Sequence, residues 1–235
     1  AAIILGSRSQ DEFGEVPAGI SAGWDGYRGT PNLVRLFEYA NNDKPKASEI
    51  KDRRGIFFDK NRSIDITTAV NGTFKTEGWA VYKYTNLKSN GESGSNSTFP
   101  DTDFPLFRLA DVYLMYAEAV ARGGQGGDLA TAVGYVNDLR ERAYGDRLHG
   151  VNEAWLKADN YRNILNERGR ELYWEALRRT DLIRFGLFTS ASYLWPYKGG
   201  VMGGIGVDNR YNVFPIPATD LSVNGSLQQN DGYKN

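Results

Sequence analysis

Cysteine is absent from the chain, and His149 is the single histidine. Those two scarcities exclude thiol catalysis, disulfide cross-links, Cys-ligated zinc and histidine-rich metal sites. No stretch approaches the roughly 18 consecutive apolar residues of a bilayer-spanning helix. There is no basic block either. The 28 Lys and Arg are matched by 29 Asp and Glu for a net charge of −1, which argues against nucleic acid, because phosphate binding needs clustered cations. What is present is a chain of 235 residues, 40% hydrophobic, enough for one large domain or two small ones around a buried core. Glycine (27) and aromatic residues (14 Tyr, 11 Phe, 5 Trp) are in excess. Tyr and Trp join an apolar body to a polar edge, which suits wet recognition surfaces as well as cores.

The opening Ala1-Ala2-Ile3-Ile4-Leu5 reads as an apolar β-type run with nothing local to pair with. It carries no initiator Met, basic leader or cleavage site, so we expect a fragment or a processed chain. Residues 1–100 read as irregular, ligand-side loops. Within them we expect an extended segment at Trp79–Tyr84, a short helix over Thr30–Tyr39 with Pro31 first, and a flexible loop at Asn90–Ser97.

Residues 101–186 read as a helical core. A helix capped by Asp103 is expected from Phe104 to Arg122. Its main stripe is Leu106, Leu109, Ala110, Tyr113, Tyr116, Ala117 and Val120, and Phe107, Val112 and Leu114 add apolar surface elsewhere, which predicts burial on more than one side. A second helix, capped by Asp128, carries Leu129, Ala132, Val133, Val136, Leu139 and Ala143 on one face. With the turn Gly123–Gly127 the two make a hairpin of tetratricopeptide type. A third helix is expected over Asp159–Leu177, then a turn at Asp181–Phe185 closed by Gly186. Residues 187–235 return to wrapping loops, extended by proline at Tyr193–Tyr197 and Phe214–Pro217.

Several motifs invite a chemical reading. Gly19-Ile20-Ser21-Ala22-Gly23 fits the nucleophile-elbow pattern, but Pro17 precedes it and Trp24–Gly29 is a poor helix, so we expect a loop. Glu167, Glu171 and Glu175 recur every four residues among Arg168, Arg170, Arg178 and Arg179. Carboxylates one turn apart project in parallel instead of flanking a bond, so an ion-pair network with Arg108, Asp111 and Glu118 is expected over glycoside hydrolysis. Gly123–Gly127 lacks the Lys-Ser/Thr of a phosphate loop. Asn61, Asn71, Asn96 and Asn224 fit glycosylation sequons to which we assign no function. No catalytic residue, metal site or cofactor is expected.

The binding signal is Gly23-Trp24-Asp25-Gly26-Tyr27-Arg28-Gly29, where Trp24, Asp25, Tyr27 and Arg28 sit among glycines. Such a loop can offer flat rings to a sugar face, with Asp25 and Arg28 bonding hydroxyls. Equally, Trp24 can plug the domain. Tyr193, Trp195 and Tyr197 form a second cluster, in which Pro196 suggests a packed strut.

Phe107–Ala119 resembles the "RxADVxLxYAEA" helix of the SusD/RagB family. Asn166–Gly186 resembles its "ERxxELxxEGxRxxDLxRxG" segment, with Ala176 where Gly is usual. Phe214–Pro217 through Gln229–Tyr233 is similar to its terminal "FPIPxxE…NPxLxQNxGY", with Asp220 for Glu and Asp231 for Pro, and Trp24–Glu38 resembles its "GW…PTxxLVxxFE" entry. The resemblance implies the C-terminal part of a mainly α protein built on a tetratricopeptide-like helical hairpin scaffold, with long irregular loops and a few short strands. It implies a lipid-anchored, surface-exposed outer-membrane lipoprotein of polysaccharide utilisation, its anchor and most of its repeats lying upstream. Such proteins take up glycans, or alternatively peptides, without cleaving them. They pass them to a SusC-like TonB-dependent transporter.

Overall fold

A computed structural model describes residues 2–8, 18–39, 42–68 and 75–233. Ala1, Pro17 and the sequon at Asn71 lie outside the described residues. The chain divides into two compact units, Ala1–Arg178 and Arg179–Asn235.

The first unit opens on a helix, α1 (Ala2–Ser7), not on the β-type run expected there. The hydrogen bonding is helical, the Arg8 amide donating to the Ile4 carbonyl at 3.2 Å, and the adjacent Ile4 and Leu5 are both buried. They pack with Ile20 and Tyr84, so the segment is buried by residues distant in sequence and not by strand pairing. Strand β1 (Arg28–Gly29) follows, then the short helix α2 (Pro31–Val34). The helix expected to reach Tyr39 stops early because Phe37 is drawn into the core and the Tyr39 ring meets Trp79 edge-on at 6.0 Å.

Strands β2 (Phe57–Phe58) and β3 (Trp79–Val81) complete a small antiparallel sheet of order β1-β3-β2. Arg28 pairs with Ala80, and Phe57 with Val81. Trp79, Ala80 and Val81 are all buried. The alternation read at this segment therefore leaves neither face of the central strand wet. Val34, Phe37, Phe57, Trp79, Val81 and Tyr173 form one aromatic-rich core.

The helical core is α3 (Leu109–Ala121), α4 (Leu129–Tyr144) and α5 (Glu153–Leu172). Asp128 caps α4 as expected, its Oδ1 accepting from the Thr131 amide at 2.7 Å, a cap of about 1 kcal/mol. Helix α3 begins later than expected. Pro105 disfavours a helical Phe104, and the extended Arg108 sits at the N-cap while its guanidinium leaves for α5.

Ala110, Leu114, Ala117 and Ala121 face Ala132, Val136 and Leu139 of α4 and Leu156, Ile164 and Leu172 of α5. Leu114, outside the stripe read from the sequence, is fully buried, worth about 1.5–3 kcal/mol. Phe107 is 90% exposed, and Leu109, Val112 and Met115 are also exposed. Within this chain α3 buries one face, not several. Helix α5 starts earlier than expected, capped by Asn152, and leaves helical geometry at Ala158–Tyr161.

The second unit carries most of α6 (Arg178–Arg184), closed by Gly186 at a positive φ as expected, and α7 (Ala218–Val223). Gln229 bonds both the N–H and C=O of Ile216, and the Asn230 amide donates to the Phe214 carbonyl. Side-chain amides thus satisfy a proline-rich segment that cannot pair regularly. No helix among the described residues is long and apolar enough to cross a membrane. The architecture is mainly α, with a helical hairpin, long irregular loops and a few short strands.

Candidate functional site

The Gly23–Gly29 loop is sewn to α1 through its backbone. The amides of Trp24, Asp25 and Tyr27 donate to the carbonyls of Leu5, Arg8 and Gly6. Asp25 takes a left-handed φ of 58°, which Asp tolerates better than most residues. Its carboxylate turns inward to Arg62 at 3.5 Å and Lys75 at 3.9 Å. That inward brace leaves Trp24 and Tyr27 pointing out, 56% and 52% exposed.

Tyr27 meets Trp174 edge-to-face, ring centroids 6.2 Å apart. With Ile3, Arg28, Ile66, Phe104 and Ala176 these two rings line an open groove of about 560 Å³. Arg28 is steadied by a 2.8 Å bond from Nη1 to the Glu77 carbonyl. The Glu77 carboxylate is bonded by the hydroxyls and amides of Thr67 and Thr68, the Thr67 hydroxyl foremost, and is held down at about 2.

Of the four residues singled out from the sequence, Tyr27 and Arg28 reach the groove. Trp24 is exposed outside its lining, and Asp25 is buried in an ion pair instead of standing at a rim. Trp174 and Phe104 were missed. The apolar pattern runs through Trp174 and predicts helix as far as Leu177, which conceals it. Helix α5 in fact stops at Leu172, and Trp174 and Ala176 adopt left-handed φ angles of 62° and 61°.

This strained turn is held from both sides. Glu175, between the two left-handed residues, is gripped by Lys83 and by Arg108, whose Nε lies 2.6 Å from Oε2. Lys83 also donates to the Tyr173 carbonyl, and the Tyr84 hydroxyl donates to that of Trp174. Burial, seconded by Glu175, pushes the Tyr84 hydroxyl up to about 12, so it remains a donor at neutral pH. A non-glycine residue in the left-handed region is strained, and Ala176 is exposed, so its methyl group buries little in compensation. Ala176→Gly should therefore stabilise the protein by about 0.5–1 kcal/mol, read as a raised urea midpoint at unchanged slope.

The Glu stripe is spent on ion pairs. Glu167 receives Arg54 at 2.7 Å and Arg140 at 2.8 Å, with Arg170 close by. Glu171 receives Arg108, Arg142 and Arg54. Burial works to raise both carboxyls, but the surrounding guanidinium groups outweigh it and hold each at about 2. A general acid needs the opposite displacement. Of the partners expected, Arg108 joins Glu171 and Glu175, Asp111 joins Arg168 at 2.8 Å, and Glu118 pairs with Arg122 one turn along its own helix.

Gly19–Gly23 is a loop, and among the described residues no strand leads into Ser21 and no helix follows it directly. His149 is stacked on Tyr144 and bonded to Asp146. Gly123–Gly127 is the turn between α3 and α4. Among the described residues no group of three His, Cys, Asp or Glu side chains is arranged to hold a metal ion.

A family model described as the SusD family matches residues 63–233. The chain belongs to the SusD family. The matched residues include Ile66, Phe104 and Trp174 of the groove and begin beyond the Trp24–Arg28 loop. The starch-binding protein SusD of Bacteroides thetaiotaomicron is 45% identical over 169 residues, 72% of this chain and 28% of that protein. The SusD-like protein P25 of Formosa agariphila is 33% identical over 134 residues, 55% of this chain and 24% of that protein. The chain thus spans about a quarter of the length of these curated relatives. Among solved structures, a SusD-like protein from Bacteroides fragilis shares the fold at a TM-score of 0.59 and 22% identity, over 90% of this chain and 48% of that one. A SusD superfamily protein from the same species does so at a TM-score of 0.54 and 24% identity, over 98% and 46%.

Proposed function

We propose that this SusD-family chain binds glycans without cleaving them. Tyr27 and Trp174 supply the ring surface, and Arg28 supplies donors for hydroxyls. Trp24 adds an exposed ring outside the groove. The observation that carries this reading is the half-exposed Tyr27 ring, braced edge-to-face by Trp174 in an open groove, on a loop fixed by main-chain bonds to α1. Preorganised rings bind at low entropic cost. The engagement of every carboxylate in the Glu stripe supports a non-catalytic role. We place this binding at the outer face of the outer membrane, on a lipid-anchored protein that delivers glycan to a SusC-like TonB-dependent transporter.

Because one relative is named a starch-binding protein, maltoheptaose is the first probe, followed by xylo-, manno- and β-gluco-oligosaccharides. In calorimetry, Tyr27→Ala should weaken binding at this groove about tenfold or more while leaving the unfolding transition in place. Undiminished affinity in Tyr27→Ala would remove the reading. Selective capture of peptides from a library, with no oligosaccharide bound, would turn it toward peptide uptake.

A further inference from the structure

The second unit holds a ring-walled groove of its own, about 570 Å³, within residues 179–235. Its volume falls inside the roughly 300–1,000 Å³ of small-ligand sites. Two of the three aromatics in the Tyr193–Tyr197 cluster, Trp195 and Tyr197, line it, and Phe188, Tyr211, Phe214 and Tyr233 complete its rings.

One wall is built rigidly. Lys198 is 2% exposed, and its ammonium donates to the carbonyls of Ser190 and Tyr193, with Leu187 at 3.5 Å. A buried cation satisfied by main-chain oxygens fixes the loop it pins. The Trp195 ring lies 4.6 Å from that ammonium and 5.7 Å from Phe188. The Arg179 guanidinium, also in the lining, lies against two rings, 4.8 Å from Phe188 and 4.2 Å from Phe214, and Nη2 donates to the Tyr211 carbonyl. Among the described residues Arg179 has no carboxylate partner, so most of its five N–H donors remain for a ligand. Asp208, also in the lining, accepts the Arg210 amide through Oδ1 and keeps Oδ2 as an acceptor.

A guanidinium and a carboxylate between flat aromatic walls match hydroxyl groups, which donate and accept, on a ring whose C–H face is apolar. A purely apolar occupant would strand both charges away from water. Peptide capture by strand addition needs an open strand edge, and the second unit has no strand among its described residues. We propose that residues 179–235 carry a second saccharide subsite, with Trp195 and Phe214 as stacking platforms and Arg179 and Asp208 as the hydroxyl-binding pair.

Calorimetry of the intact chain with the oligosaccharide panel above should give two sites per chain. Trp195→Ala and Arg179→Gln should each weaken one of them about tenfold or more and leave the other unchanged, with circular dichroism and the unfolding transition preserved. Tyr27→Ala should remove the complementary site, so the two assignments stand or fall separately. One site abolished by Tyr27→Ala and indifferent to both second-unit variants would overturn this proposal alone. Binding that vanishes with Trp195→Ala and ignores Tyr27→Ala would uphold it and remove the groove in the first unit. Silence across the whole panel, or peptide capture that is sensitive to Trp195→Ala, would overturn the saccharide assignment.

Discussion

Glu167→Gln should cost about 3–5 kcal/mol of stability, because removing one partner from a buried ion cluster leaves the others uncompensated. Glu167 is fully buried and faces three guanidinium groups, from Arg54, Arg140 and Arg170. Arg54 would retain Asp52 and Glu171. Among the described residues Arg140 and Arg170 would keep no carboxylate, only the carbonyl oxygens of His149 and Leu36 and, for Arg140, the rings of Tyr144 and Trp155. The neutral amide preserves shape, so the loss reports charge more than packing. Urea unfolding measures it. The exposed pair Arg147–Glu141 is the control, and Arg147→Ala should change stability by less than about 0.5 kcal/mol. A cost for Glu167→Gln below about 1 kcal/mol would show that the cluster does not hold the helices together.

The same cluster sets the acid limit of the fold. Glu167 and Glu171 titrate at about 2 in the folded chain against an ordinary 4.5. As pH falls, the unfolded state takes up their protons first. Their contribution is complete above about pH 4.5 and drains away as pH falls towards about 2. At neutral pH it is roughly a few kcal/mol for the coupled pair together. Urea unfolding at stepped pH should show near-constant stability from pH 7 to 5 and a steep fall below. Glu171→Gln should flatten that fall. A profile indifferent to the substitution would place the acid sensitivity elsewhere.

How far the sequence revealed this molecule depended on how local each signal was. The hairpin was legible because Gly123–Gly127 turns, Asp128 caps and Val136 and Leu139 recur at helical spacing, all within one segment. The ion-pair network was legible because like charges four residues apart demand outside partners. The ends of α3 and α5 were not, since Pro105 and the left-handed pair at Trp174 and Ala176 are decided by where Arg108 and Glu175 find their partners. A side chain standing at a family glycine was the one hint, as that glycine signals a positive φ and therefore a turn. The loop at Trp24–Arg28 could be picked out by composition, but which of its residues turn inward depended on Arg62, distant in sequence. Trp174 and Phe104 could not be joined to it, because only the fold brings residues so far apart to one groove.

Gly6 has one more effect on the groove. A methyl group there would sit 2.7 Å from Cδ2 of Tyr27, so the ring lies flat on bare main chain and has only its outer side to give. A guest can be stacked from above but not clasped between parallel plates. If the groove takes the glycan proposed for it, such a site would need no free terminus to thread and would take a mid-stretch of a long polymer as readily as its tip.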